Sequence, residues 1–287
     1  MTYIPRSLVN PDDFTDFFVT QHYRDFLSRE PDASGLGFWI DQFAGCGTNQ
    51  SCINAKRVDV SNAFFYELEF QQTASYVYRV YREAFGNSQP FPNPFPDPNF
   101  PGEDLKMPSY AKFAQDRALV VGSSNLAQSQ LDFANAFVQR PQFIAKYPAS
   151  LSTAAQFVDA VLATIQTDLG VNLSSERQNL INLYGTLGRG GVIYRLADDN
   201  TQTNPINNRA LIDAEYNRAF VYGEYGGYLR RDSDIAGFRF WLNQVNSGPL
   251  RDVTKQHAMV CAFVNSDEYQ LRFSTIITHN SFGDCPH

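Results

Sequence analysis

The amino-acid sequence predicts an all-α protein of repeated helical units, packed into one or two helical domains with a proline-rich loop inserted. Three observations predict it. The stretch FVTQHYRDFLSREPDASGLGFWIDQF, from Phe18 to Phe43, returns as FVYGEYGGYLRRDSDIAGFRFWLNQV, from Phe220 to Val245. Apolar residues in both copies fall at i, i+3, i+4 and i+7, one face of a helix. No segment sustains the period-two alternation of a strand.

The repeat holds at a constant offset of 202. Phe18, Val19, Tyr23, Leu27 and Arg29 return as Phe220, Val221, Tyr225, Leu229 and Arg231. Asp32, Gly35, Phe38, Trp39 and Gln42 return as Asp234, Gly237, Phe240, Trp241 and Gln244. An internal repeat of this kind constrains fold strongly and chemistry hardly at all.

The first helix is expected to begin at Asp12 or Asp13, after Asn10-Pro11, where acidic side chains cap free N–H groups and oppose the helix dipole. Its stripe is Phe14, Phe18, Val19, Tyr23, Phe26 and Leu27. Glu30-Pro31 stops it, because the residue before proline avoids the helical region. Asp32 or Ser34 caps the second helix, which turns Leu36, Trp39, Ile40 and Phe43 inward; the twin turns in Phe238, Trp241, Leu242 and Val245. Both tryptophans are expected to be buried core residues, each packed on the first helix of its own unit. The third helix follows the loop between Cys46 and Cys52, with Ile53, Val60, Phe64 and Leu68 inward. Its ending, Ala63-Phe64-Phe65 with Glu69-Phe70, matches Ala262-Phe263-Val264 with Glu268-Tyr269 at an offset of 199, so the first copy carries three extra residues. The cysteine loop is the natural place for them.

Four units follow: 12–75; 76–147, carrying the proline-rich loop 87–105; a degenerate unit 152–211; and 212–273, with a tail 274–287. Tyr78, Arg79, Tyr81, Arg82, Phe85 and Gly86 read as the first helix of the second unit. In QPFPNPFPDPNFPGED, six prolines forbid regular structure and predict an extended surface loop. Phe91, Phe95 and Phe100 are the residues available to pin it. The third unit opens at Phe157, reaches a capped helix at Ser174 to Arg177, and is expected to break at Gly188 to Gly191.

Composition excludes several classes. The 287 residues carry a net charge of -7 and no basic stripe, which argues against nucleic acid. No apolar run approaches the ~20 residues of a membrane span, so no membrane insertion is expected. The start, MTYIPRSLVNP, lacks the apolar stretch of a signal peptide; a cytosolic protein or one whose leader was removed is expected. Four cysteines without CxxC spacing suit two bridges, Cys46 with Cys52 and Cys261 with Cys285, and hence an oxidising, extracellular or cell-surface setting. Four ordinary thiols are the alternative.

Motifs for catalysis are missing from the sequence. There is no HExxH and no GxSxG, and His22, His257, His279 and His287 occupy non-equivalent positions. The carboxylate pairs Glu67/Glu69 and Asp267/Glu268 point different ways on a helix and read as solvated helix ends, not as a glycosidase pair. Gly188 to Gly191 lacks the strand and lysine of a phosphate loop. Asp232 to Gly237 places glycine at the sixth position of a calcium loop, but Ile235 and Ala236 intervene and Asn243 stands where position twelve needs Glu. The better reading makes Asp32 and Asp234 helix caps, with Arg29 and Arg231 bracing the corner. No catalytic, cofactor or metal residue is assigned.

The pattern FVxxxYxxxLxRxxDxxGxxFW, followed by AFxxSxEY, resembles the bacterial domain-of-unknown-function family 4214. The last unit is closest, through Ala262 to Tyr269; the first departs with Glu67 where Ser266 stands. The resemblance implies helical modules similar in outline to phycobilisome linker domains, in extracellular proteins with calcium-binding repeats or adhesive modules. It brings no catalytic residues. The expected function is a non-enzymatic interaction module that binds a glycan or surface protein, or spaces other domains. A polysaccharide-acting enzyme with carboxylates drawn from different repeats is one alternative, and a subunit of a surface layer or filament is another.

Overall fold

A computed structural model describes residues 9–66, 68–91, 97–122, 124–200, 202–279 and 285. Glu67, Phe95 and His287 lie outside them. The described residues hold helices and no strand, as an all-α chain requires. In order these are α1 (Thr15–His22), α2 (Ala33–Asp41), α3 (Gln50–Tyr66), α4 (Leu68–Gln72), α5 (Ala74–Phe85), α6 (Tyr110–Arg117) and α7 (Leu126–Phe137). Then come α8 (Pro141–Lys146), α9 (Ala154–Leu169), α10 (Arg177–Ala197), α11 (Arg209–Glu224), α12 (Ile235–Val245), α13 (Val253–Val264) and α14 (Asp267–Gln270).

The hub is α5, whose twelve residues are all buried. Helices α4, α6, α8, α9, α10 and α11 surround it. Its sequence, ASYVYRVYREAF, carries three charged groups into that interior, and two of them are satisfied. Arg79 donates to the carbonyls of Ala197 and Gln71, each at 2.8 Å. Arg82 pairs with Glu215 of α11 at 2.8 and 3.2 Å and donates to Gly86 O at 2.8 Å. The Tyr78 hydroxyl adds a third bond to Glu215, at 3.1 Å. Glu83 has no hydrogen-bond partner among the described residues, and burial pushes its carboxyl well above the usual range. It is therefore carried neutral, because an unpaired buried carboxylate costs far more than a protonated one.

The first and last stretches of the repeat pack on each other, α3 against α13 and corner against corner. Helix α1 widens into a π-turn over Tyr23–Leu27, and α11 does the same over Tyr225–Leu229. Where the turns meet, Phe26 and Tyr228 pack edge to face with centroids 5.2 Å apart. Gly227 makes the approach possible: a Cβ there would lie 2.6 Å from the Phe26 ring. The residue equivalent to Gly227 is Asp25, and it is buried under two arginines. Arg230 reaches its carboxylate at 2.9 and 2.5 Å and Arg272 at 2.9 and 2.8 Å, while Arg117 donates to its backbone carbonyl at 2.6 Å.

A second seam ties residues 10–13 to the far end of the chain. Asn10 donates to the carbonyls of Gln270 and Ile276 at 3.1 and 3.0 Å. Tyr269 donates to Asp12 at 3.2 Å, and Arg57 forms an ion pair with the same carboxylate. This corrects one expectation. Asp12 is fully buried in that pair and does not open a helix; Asn10 caps a 3-10 turn, Pro11–Asp13, and α1 starts at Thr15. Leu68, expected inward, is exposed.

Both cysteine pairs are bonded. Cys46–Cys52 closes the connection from α2 to α3, and Cys261 on α13 holds Cys285. The glycine cluster is a packing device: α10 kinks at Gly188, where φ is 66°, and continues without ending. Gly190 lies against Asn135 of α7, where a Cβ would come within 2.1 Å of its side chain.

Equivalent positions of the repeat have diverged in the core. His22 of α1 sits at the position of Glu224 of α11. The His22 ring bonds Phe18 O at 2.8 Å and the Ser61 hydroxyl at 2.7 Å. At the counterpart of Ser61 stands Val260, and Glu224 has no partner among the described residues. Burial drives the two groups to their neutral forms from opposite sides: it lowers His22 to about 4 and raises Glu224 well above the carboxylate range. An unfolded histidine titrates near 6.5, so between about 4 and 6.5 the native state binds fewer protons than the unfolded one. His22 therefore removes stability as pH falls through that window, by about 3 kcal/mol in all, and removes no more below it. Glu83 and Glu224 act in the other direction, giving stability in acid that is lost as pH rises above the ordinary carboxyl range. Urea unfolding of the chain and of His22→Gln at pH 4 to 8 separates the two. The variant is expected to lose less stability between pH 6.5 and 4 than the parent, and parallel curves would remove the assignment.

Candidate functional site

The residues that recur build two copies of one corner. Asp32 accepts from Gly35 N–H at 2.9 Å and caps α2; Asp234 accepts from Gly237 N–H at 2.6 Å and caps α12. The glycines are steric necessities, since a Cβ would lie 2.4 Å from the Tyr23 hydroxyl oxygen in one copy and 2.3 Å from that of Tyr225 in the other. Arg29 lies over the Tyr23 ring and Arg231 over the Tyr225 ring. Each guanidinium clasps a glutamate in two parallel bonds, Arg29 to Glu69 at 2.6 and 2.7 Å and Arg231 to Glu268 at 2.5 and 3.0 Å. Hydrogen bonds to these carboxylates hold both arginines above their ordinary pKa. Glu69 and Glu268 thus brace the corner; Glu69 is half-buried, a correction to its reading as a solvated end, while Glu268 is exposed.

Trp39 and Trp241 complete the corners but are only half-buried, contrary to expectation. Their aromatic partners are on the third helix, with Trp39 5.1 Å from Phe64 and Trp241 6.1 Å from Phe263. Each is flanked by an exposed phenylalanine, Phe38 or Phe240. Helix α2 has no buried residue and α12 sends Ile235, Phe238 and Val245 into the core, so on both helices the tryptophan lies at the core's edge. Trp241→Ala is accordingly expected to cost about 2 kcal/mol, short of the about 3–5 of a fully buried aromatic. A loss of 4 kcal/mol or more in urea unfolding would show that the ring carries core packing after all.

The two corners differ in what surrounds them. Beside the first is a shallow pocket of about 370 Å³, lined by Tyr23, Arg29, Phe38, Trp39 and Glu69. Over the second, the insert between α5 and α6 builds a cleft of about 990 Å³. The insert is held firmly there. Phe91 O accepts from Ser109 N–H at 2.6 Å, Phe100 lies under Arg239, and Glu103 pairs with Arg239. Arg218 binds Leu105 O, Tyr222 donates to Pro108 O at 3.0 Å, and Asp232 accepts from Tyr110 N–H at 2.7 Å.

One wall of the cleft is Asp97 to Leu105 and the other Arg230 to Ala236, with Tyr110 and Ala111 between. Five carboxylates line it: Asp97, Glu103, Asp104, Asp232 and Asp234. Burial raises Asp232 above the ordinary aspartate range. The two arginines in the lining are engaged elsewhere, Arg230 with Asp25 and Arg231 with Glu268. Ser233 is 4% exposed, and its hydroxyl finds no partner among the described residues. At the equivalent position the first corner has Pro31. No three His, Cys, Asp or Glu side chains gather to hold a metal ion among the described residues, and no helix there is long and apolar enough to cross a membrane.

Sequence reasoning located the corners and missed the cleft. Residues 210–273, which run from α11 through α14 and contain one wall of the cleft, match the family described as Domain of unknown function (DUF4214). No curated protein and no solved structure matches the chain.

Proposed function

We propose that this chain is a non-enzymatic interaction module of an extracellular or cell-surface protein, which holds a glycan or surface protein and positions its neighbours. The observation that carries the reading is the asymmetry of the two corners. One scaffold occurs twice, and an insertion has walled one copy into a cleft whose lining includes a buried hydroxyl without a partner among the described residues. Ligand sites are concave, largely preformed and sparing in polar groups, and this cleft has that character. The disulfides support an oxidising setting. The division into four linker-like units, 12–75, 76–147, 152–211 and 212–273, belongs to the same proposal. Four units would give the module a rigid frame between neighbouring domains.

Asp232 favours a second reading, a polysaccharide-acting enzyme. A carboxyl raised by burial in a cleft is the kind of group that serves as a general acid. Incubation with polysaccharides and measurement of released reducing ends separates the two. Turnover abolished by Asp232→Asn would establish the enzyme. Retained binding to a glycan array or to envelope extracts, with no turnover, is the expected result. Silence in both binding assays would overturn the recognition role.

A further inference from the structure

Resting on that reading, we infer that the cleft between the proline-rich insert and the second corner takes a neutral, hydroxyl-rich saccharide segment. The cleft's volume, about 990 Å³, lies at the upper end of ordinary ligand pockets, room for an extended ligand. Its polar groups are mixed in a way that suits hydroxyls, which donate and accept at once. Asp97 and Asp104 offer acceptors from the insert, and Asp234 offers one from the corner. Arg230 spends Nε and Nη2 on Asp25, leaving Nη1 as a donor on a side chain that is 48% exposed.

Ser233 is the sharper indication. Its hydroxyl is withdrawn from water without a partner among the described residues, a costly arrangement unless a ligand completes it. A sugar hydroxyl in the cleft supplies that partner. Leu105, Ile235 and the Tyr110 ring provide apolar surface in the same lining, which a pyranose covers with its C–H face.

Charge narrows the class further. Asp97, Asp104, Asp232 and Asp234, with Glu103 held by Arg239 and both lining arginines neutralised by Asp25 and Glu268, repel uronates, sulfates and phosphates. A basic peptide would be attracted by the same carboxylates, so an uncharged polyol is preferred to it on the unpartnered Ser233 hydroxyl and the apolar lining, and the peptide is kept as a probe.

The repeat provides its own control substitution. Ser233→Pro installs the residue that the first corner already carries as Pro31, so the corner is expected to fold while the hydroxyl is lost. Calorimetric titration with neutral gluco-, manno- and galacto-oligosaccharides, with uronate and sulfated oligosaccharides, and with an Arg/Lys-rich peptide reads the class. Expected is binding to at least one neutral series and not to the charged probes, weakened about tenfold or more in both Ser233→Pro and Ser233→Ala and unchanged in Trp39→Ala. Circular dichroism and urea unfolding confirm that each variant is folded. Neutral binding that survives both Ser233 variants, or is lost in Trp39→Ala alone, overturns the assignment to this cleft. Preference for an anionic saccharide or for the peptide overturns the ligand class but leaves the recognition reading standing. If every probe and envelope extracts are silent, both fail.

Discussion

Asp25→Ala is expected to lower stability by about 3–5 kcal/mol, read as a fall in the urea midpoint at unchanged slope. The carboxylate is 3% exposed and is bound from two directions by Arg230 and Arg272. Removing it leaves the largely buried guanidinium of Arg272 without its carboxylate and beside that of Arg230, which is half-exposed. Arg272 keeps its bonds to Gly227 O and Tyr228 O, so it cannot swing out without breaking the turn that Phe26 packs on. The exposed pair Arg24–Glu30, one residue away on the same turn, is the internal control: Arg24→Ala is expected to cost at most about 1 kcal/mol. Similar losses for the two variants would mean that the Asp25 cluster is as well solvated as the surface pair.

Glu215→Ala is expected to cost a comparable amount, about 3–5 kcal/mol, for the same reason at the hub. Arg82 and Glu215 are 4% and 6% exposed, and the truncation strands the charge of Arg82 in the interior while freeing the Tyr78 hydroxyl. Replacing both partners, Arg82→Met with Glu215→Leu, is expected to cost less than Glu215→Ala alone, since an apolar pair has nothing to leave unpaired. A double variant less stable than the single one would assign the pair a net attraction that exceeds its desolvation. The carbonyls of Gly86 and Lys106 also accept from Arg82, so the double variant is expected to loosen the insert as well.

What the sequence made legible was local. The caps Asp32 and Asp234, the glycines at Gly35 and Gly237 and the Cys46–Cys52 bridge each rest on residues within a few positions of one another. Spacing reports such relations directly. Depth was not legible: periodicity gives the face that a helix turns inward and says nothing of how far the helix stands from the centre. Trp39 was misjudged for that reason, and Arg79, Arg82 and Glu83 were not recognised as buried. The Asp25 cluster joins residues 205 and 247 positions apart, and no short-range pattern encodes that.

The cleft left no comparable signal: Glu30-Pro31 against Asp232-Ser233 is one of many differences between the aligned copies, and the facing wall comes from the insert, more than 120 residues earlier in the chain. Asp12 shows the converse error. A carboxylate after Asn-Pro reads as a cap, and only the arrival of Arg57 and Tyr269 makes it a buried ion.

The corner-to-corner contact sets the order in which the molecule can be completed during synthesis. Phe26 waits for Tyr228, which lies about 200 residues later and, at roughly 5–20 residues per second, reaches the nascent chain about 10–40 s afterwards. Until then the face of α3 that later meets α13, and the π-turn that later meets its twin, stay open to water. Closure depends on a late partner, so the early part of the chain remains unlocked while it is being made. That interval leaves α3 without α13 against it, so the first unit is held meanwhile by its own contacts alone.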